Sequence, residues 1–294
     1  MSCTLNCDVL SSIEYSMFYF FTFLVFIFGL CIGSFLNCLI WRLHEEKTLG
    51  GRSICPKCQH QLAWYDNIPV FSFLFLRGKC RYCHKAISWQ YPAVEFITGI
   101  LFLLAFASNF QFSIFNFQTI SNFQFLNNFD LLFTNYYLLI TIIRDWLIIS
   151  VMTVIFIYDL RWYLILDKVS LPFIVIFFIL NLILGFGWQG MVLAMLAGGG
   201  FFFLQFAISR GRWIGGGDIR LGVLMGAALG RLDLLLFAIL ASYFIGSIIA
   251  IFLVIFGKKQ WQSQVPLGIF LTSGTILSLF WGQAIVGWYL NLLV

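Results

Sequence analysis

The sequence predicts an all-α polytopic membrane protein of about eight transmembrane helices, with a small cytosolic zinc-ribbon-like insert between helices 1 and 2. Composition is the first sign. Hydrophobic residues make up 61% of the 294-residue chain and charged residues 10%, against about half and about a quarter in an ordinary globular domain. Several uncharged apolar runs reach the roughly 20 residues needed to cross a hydrocarbon core about 30 Å thick. Lys and Arg gather beside those runs rather than on a basic helix interleaved with aromatics, so the net charge of +5 reads as positive-inside topology and not as a nucleic-acid surface.

The first 14 residues hold Asp8 and Glu14 but no Lys or Arg, the wrong charge for the start of a cleaved secretory signal. The apolar run from Tyr15 to about Trp41 therefore reads as a retained first helix, with the N-terminus outside and Arg42 anchoring its cytosolic end. Residues 42–90 form the only long polar stretch and carry eight basic residues, which assigns them as a cytosolic domain. Residues 91–294 form a membrane domain with about seven further helices. The second helix runs from Tyr91 to about Ser108. The Phe/Asn/Gln-rich stretch Asn109 to Asn135, without Lys or Arg, reads as an extracytoplasmic loop.

The third helix spans about Tyr136 to Tyr158, a short cytosolic turn holds Asp159, Arg161, Asp167 and Lys168, and the fourth starts near Val169. Gly185 to Gly190 turns outside, and a fifth helix, about Met191 to Ser209, returns to Arg210, Arg212 and Arg220. Three more spans follow: a short, glycine-rich one from about Asp218 to Leu229, one from about Leu234 to Phe256, and one from about Leu267 to Leu292. Lys258 and Lys259 mark the last cytosolic turn. In this arrangement 15 of the 17 basic residues lie inside; Arg144, within the third span, and Arg231, at an outer turn, do not.

Two motifs carry chemistry. Cys55-Pro-Lys-Cys58 and Cys80-Arg-Tyr-Cys83 place two CxxC pairs at the spacing of a four-thiolate zinc site, in a compartment that disfavours disulfides. Four thiolates leave no position open for water, so the zinc is structural. An insert of about 50 residues cannot build a sufficient core alone, and metal binding supplies folding energy. Cys31 and Cys38 read as packing residues, and Cys3 and Cys7 face outside.

The second motif is a carboxylate pair. Asp159 ends the third helix and Asp218 opens the sixth, which puts both at similar depth on the cytosolic side. Two acids that share one proton can activate water and protonate a carbonyl together. Gly215, Gly216 and Gly217 give a backbone approach free of side chains, although a plain helix start with Asp218 at its cap is the simpler reading of that run alone. Asp167 is expected to cap the fourth helix instead.

Four features together resemble the type IV prepilin peptidases over nearly the whole chain. These are Gly33-Ser34-Phe35-Leu36-Asn37 followed by Arg42, the four cysteines, Tyr91-Pro92-Ala93-Val94-Glu95, and Gly215-Gly216-Gly217-Asp218, which also resembles the GxGD signature of intramembrane aspartyl proteases. The resemblance implies an aspartyl endopeptidase, with Asp159 and Asp218 as the catalytic pair, cleaving the leader of prepilin or pseudopilin substrates at the cytosolic face of the inner membrane.

It also implies N-methylation of the new N-terminus with S-adenosylmethionine. Arg161 and Leu166 depart from the family's acid-rich turn. Glu95 is the candidate methyltransferase-associated residue, because a membrane-end carboxylate is costly without a role; pairing with Arg42 or Lys85 is the competing expectation. Asn67-Ile68-Pro69 and Pro266-Leu267-Gly268 resemble family positions without a derivable role. A non-catalytic zinc-ribbon assembly factor, or an ion or proton transporter using the two aspartates, would be the rival functions.

Overall fold

The computed structural model describes residues 4–48, 50–120, 128–256 and 266–292, with side chains described outside 4–18 and 110–135. Cys3 and the side chain of Cys7, like Lys258 and Lys259, lie outside the described residues. Among those described, the chain is mainly helical outside the insert, and the insert holds turns, two short helical pieces and isolated β-bridges. It separates into two compact units, residues 1–124 and 125–294.

The first unit is a helix pair around the insert: α1 (Thr4–His44), the short α2 (Phe71–Phe75) and α3 (Gln90–Ile120). Small residues let α1 and α3 approach closely. A Cβ on Gly33 would stand 2.6 Å from the Glu95 Cα, and one on Gly29 would stand 2.8 Å from the Gly99 Cα. Asn37, one turn beyond Gly33, donates from Nδ2 to the Tyr91 carbonyl at 3.0 Å. The GSFLN stretch is thus a helix-packing element.

The second unit contains α4 (Asn128–Trp162), α5 (Asp167–Ile183), α6 (Trp188–Ser209), α7 (Gly216–Leu229), α8 (Leu232–Ile255), α9 (Gly268–Leu277) and α10 (Gln283–Leu292), the last two joined through a π-helical turn at Ser278–Gly282. Counting α9 to α10 as one segment, six segments among the described residues are long and apolar enough to cross a membrane. The other two expected spans are shorter. α5 has 17 residues and α7 has 14, so α7 is only about 21 Å long at 1.5 Å per residue and lies packed against α5, α6, α8 and α9. Burial among other helices is what allows a short helix at that depth.

One expectation is corrected. The stretch Asn109 to Asn135 is not one long loop: α3 continues to Ile120 and α4 already begins at Asn128. No Gly or Pro occurs between Ile100 and Leu171, so polar Asn and Gln residues lengthen the helices instead of ending them.

Candidate active site and metal centre

The insert builds two knuckles on one template. In the first, the Cys55 N–H donates to the His60 carbonyl at 2.9 Å and the Gln59 N–H to the Cys55 carbonyl at 2.8 Å; in the second, Cys80 bonds Lys85 and His84 bonds Cys80, each at 2.9 Å. Gln59 and His84 both take left-handed backbone (φ 57° and 53°), and the bridges Ile54–Gln61 and Lys79–Ala86 close the two turns. The turns aim Cys55, Cys58, Cys80 and Cys83 inward, so that their sulfur atoms all lie within 4.8 Å of one another.

A tetrahedral ion bound at about 2.3 Å would set sulfurs about 3.8 Å apart, so this donor set fits a thiolate-bound metal ion. Burial raises the Cys55 thiol, but backbone N–H groups of Cys58 and Lys57 and neighbouring thiols outweigh it and bring it down to about 7. At Cys58 the His60 backbone favours the thiolate, yet desolvation and the Cys55 and Cys83 thiols push it up to about 11. Four thiols this close cannot all ionise without a cation among them.

Asp66 braces the second knuckle, accepting from Arg81 Nε at 2.8 Å and from the Tyr82 hydroxyl at 3.3 Å. Arg42, itself buried, donates to the carbonyls of Gly51 and Arg52 at 2.7 and 3.2 Å. Glu95 is buried on α3 and accepts the Val70 N–H at 2.7 Å. Val70 has φ +60°, unfavourable for a β-branched residue, so this carboxylate holds a strained turn of the insert against the membrane helix. Neither Arg42 nor Lys85 supplies the described partner of Glu95. In the same helix pair, Asn37 Oδ1 and Thr98 Oγ1 are buried with no hydrogen-bond partner.

The carboxylate pair lies in the second unit. Asp159, on the last turns of α4, is 5% exposed. Its Oδ2 accepts the Ile269 N–H at 3.2 Å, one of the donors that the first turn of a helix leaves free. Gly268 brings that turn in: a Cβ there would stand 2.6 Å from Asp159 Oδ2. Asp218, half-buried on the first turn of α7, accepts the Gly215 N–H at 3.0 Å. Gly215 is the N-cap residue, with Asp218 three positions on. Asp218 is close enough to Asp159 to feel its charge. Gly215 and Gly216 are exposed, and Gly217 packs on Ile165.

Two departures from expectation sit at this end. Asp167 does not cap α5: Leu166 is the N-cap residue, without a side-chain bond, and the Asp167 carboxylate pairs with Arg220 on α7. Leu166 replaces the cap and the arginine offers the stronger partner. The role of Pro266-Leu267-Gly268 was not legible from its residues, since it sets Gly268 against Asp159 and the next residue, Ile269, donates to that carboxylate across 110 positions. The available signal was a proline followed by glycine opening an apolar helix.

A multi-pass helical protein with two aspartates gathered at one end of its second unit, and four thiols gathered in its first, defines the class. The bacterial peptidase A24 N-terminal domain matches residues 27–109 and the type IV leader peptidase family matches residues 146–251. A prepilin leader peptidase/N-methyltransferase of Bacillus subtilis is 28% identical over 92% of this chain and 98% of its own length, and one of Aeromonas salmonicida is 27% identical over 91% and 93%. One of Myxococcus xanthus is 51% identical over 28% of this chain, which is 25% of that relative. The chain belongs to the type IV prepilin leader peptidase family. No solved structure matches it.

Proposed function

We propose that this protein cleaves the leader peptide of type IV prepilin-like proteins at the cytosolic membrane face, with Asp159 and Asp218 as the catalytic pair, and then methylates the new N-terminus. The observation that supports the reading is that the two carboxylates, 59 positions apart in the chain, stand near enough for the Asp159 charge to act on Asp218, beside a glycine run open to a substrate backbone. One carboxylate takes a proton from water as the oxygen attacks the scissile carbonyl, and the other, protonated, donates to the carbonyl oxygen. Collapse of the tetrahedral intermediate breaks the C–N bond and the leaving amine takes a proton back. The Ile269 and Gly215 N–H groups hold each acid in place.

The metal would be zinc, held by Cys55, Cys58, Cys80 and Cys83. It would contribute folding energy to the insert and no chemistry, because all four positions are filled by protein. For methyl transfer, S-adenosylmethionine supplies the electrophilic carbon when bound. Glu95 is the residue proposed to hold the new amine, supported by its burial and by the unpartnered acceptors Asn37 Oδ1 and Thr98 Oγ1 in the same helix pair. The N-terminus would lie outside, and the insert and both aspartates in the cytosol, in the inner membrane.

Co-expression with candidate prepilins, pilus or pseudopilin, followed by mass measurement of their N-termini, tests the reading. Shortened and methylated product from the wild type is expected. A Glu95→Gln variant should cleave without methylating; methylated product from it removes Glu95, and leader-bearing substrate throughout removes the peptidase.

A further inference from the structure

Arg144 is one of two basic residues that positive-inside topology leaves unexplained, and it lies nine residues into the 27-residue span 136–162. A charge at that depth is expensive and is retained for a partner or a task. Its side chain and that of the adjacent Asp145 are 12% and 8% exposed. Arg144 donates to Asp145 Oδ1 from Nε at 2.9 Å and from Nη2 at 2.7 Å, which leaves Nη1 to reach across to Asn181 Oδ1 on α5 at 3.2 Å. The guanidinium also lies 5.7 Å from the centroid of the Phe186 ring.

Asn181 is fully buried, and its amide has one orientation that satisfies this contact. With Oδ1 taken by Arg144, Nδ2 faces the last turn of α7 and donates to the carbonyls of Ala227 at 2.7 Å and Ala228 at 3.3 Å. Those are end carbonyls that a helix cannot satisfy within itself. Gly230, at φ +67°, closes the helix there, and a Cβ on it would stand 3.1 Å from Asn181 Nδ2.

Buried Leu221, Leu224 and Met225 and the Arg220–Asp167 pair hold the body of α7, and Asn181 holds its last turn. The face of α7 toward α6 is small and smooth: Gly222 meets Gly198 backbone to backbone, and Gly226 meets Ala194 in the same way. Such surfaces allow close approach but present few protruding side chains to lock register. Asp218 stands on the first turn of this helix, so an axial slip at Ala227 and Ala228 is a slip of the carboxylate.

We propose that Arg144, Asp145 and Asn181 form an intramembrane anchor that caps the C-terminal end of α7 and thereby fixes the height of Asp218 opposite Asp159. Asn181 is a positioning residue, and the ion pair orients its amide. The inference rests on the reading of Asp218 as half of the catalytic pair.

The test uses the full-length protein in detergent or nanodiscs with purified prepilin, measuring kcat, KM and the pH profile of kcat per folded molecule. Asn181→Leu keeps the volume and removes both hydrogen-bonding groups. It should lower kcat about tenfold or more, with KM within about twofold of wild type, the signature of a lost reacting geometry rather than lost binding. The two limbs of its pH profile should also move, because the splitting between two coupled acids depends on their separation.

Asn181→Ser, which keeps one donor, should recover part of kcat, and it decides the matter if the leucine variant does not fold. Either variant with wild-type kcat and an unmoved pH profile overturns the anchor, and so does a variant that loses folded protein but is unchanged per folded molecule. Asp218→Asn is run alongside: if it cleaves normally, the catalytic reading itself has failed, whereas an inactive Asp218→Asn beside an unaffected Asn181→Leu removes the anchor alone.

Discussion

The thiol cluster and the carboxylate pair are assembled by opposite means. All four sulfurs come from 29 consecutive residues, and each knuckle is closed by hydrogen bonds between residues no more than five positions apart. The two carboxylates stand on separate helices, and the backbone donor that holds Asp159 comes from a third, 110 positions away. A local site depends on its ligands and turns, and tolerates changes elsewhere. A site gathered from distant helices depends on every helix that sets a depth, so it should be sensitive to residues that never touch substrate.

The sharpest way to separate the two is to break the local one. Cys55→Ser or Cys80→Ser should remove stoichiometric metal, and the insert, which has little core of its own, should become the first region cut by protease while α4 to α10 stay protected. The apparent contribution of such a structural site reaches about 10 kcal/mol in isolated zinc peptides. Elemental analysis with limited proteolysis reads both effects, and full metal occupancy in either variant contradicts the assignment. Because the Cys58 thiol sits near 11 before metal binds, binding must expel its proton at neutral pH. Zinc affinity of the stripped protein should therefore rise with pH across the neutral range and fall as pH drops below about 7, where Cys55 protonates as well; a flat profile argues against thiolate ligation.

The distributed site can be strained from a distance. A side chain on Gly268 would enter the space of the Asp159 carboxylate, and Gly268→Val should cost roughly 100-fold in cleavage rate, the scale of a 1 Å misplacement of reacting groups. Metal content should not change. A valine variant with wild-type kcat would mean that the first turn of α9 does not position Asp159.

The smallest effect is expected where the two aspartates of the turn differ most. Asp167 and Arg220 are each nearly half exposed, and an ion pair of that kind contributes about 0–1 kcal/mol. Asp167→Asn should keep leader cleavage within about threefold. A loss as deep as that of Asp159→Asn would move the second acid from Asp218 to Asp167.

The same contrast explains what the sequence made legible. The CxxC pairs announce their site because ligand identity and spacing lie within one short stretch, and Gly215 to Asp218 is visible because a glycine run before an acid is a local pattern. The helix boundaries followed hydropathy except at the start of α1, which begins at Thr4 rather than Tyr15, and at Asn109 to Asn135, where polar side chains without Gly or Pro did not end a helix. What could not be read was long-range pairing. Gly268 against Asp159, Glu95 against Val70, Asp167 against Arg220 and Asn181 against α7 each join residues at least 25 positions apart, and nothing in either partner's neighbourhood names the other.

The central claim is that Asp159 and Asp218 work as one unit, and the direct measurement is leader cleavage by purified Asp159→Asn, Asp218→Asn and the double variant, followed by mass spectrometry of the prepilin N-terminus. Groups that share one reaction lose activity together, so each single variant is expected to be as inactive as the double, with metal content unchanged in all three. A stably folded single variant that cleaves near the wild-type rate, or two partial losses that multiply in the double, would contradict it.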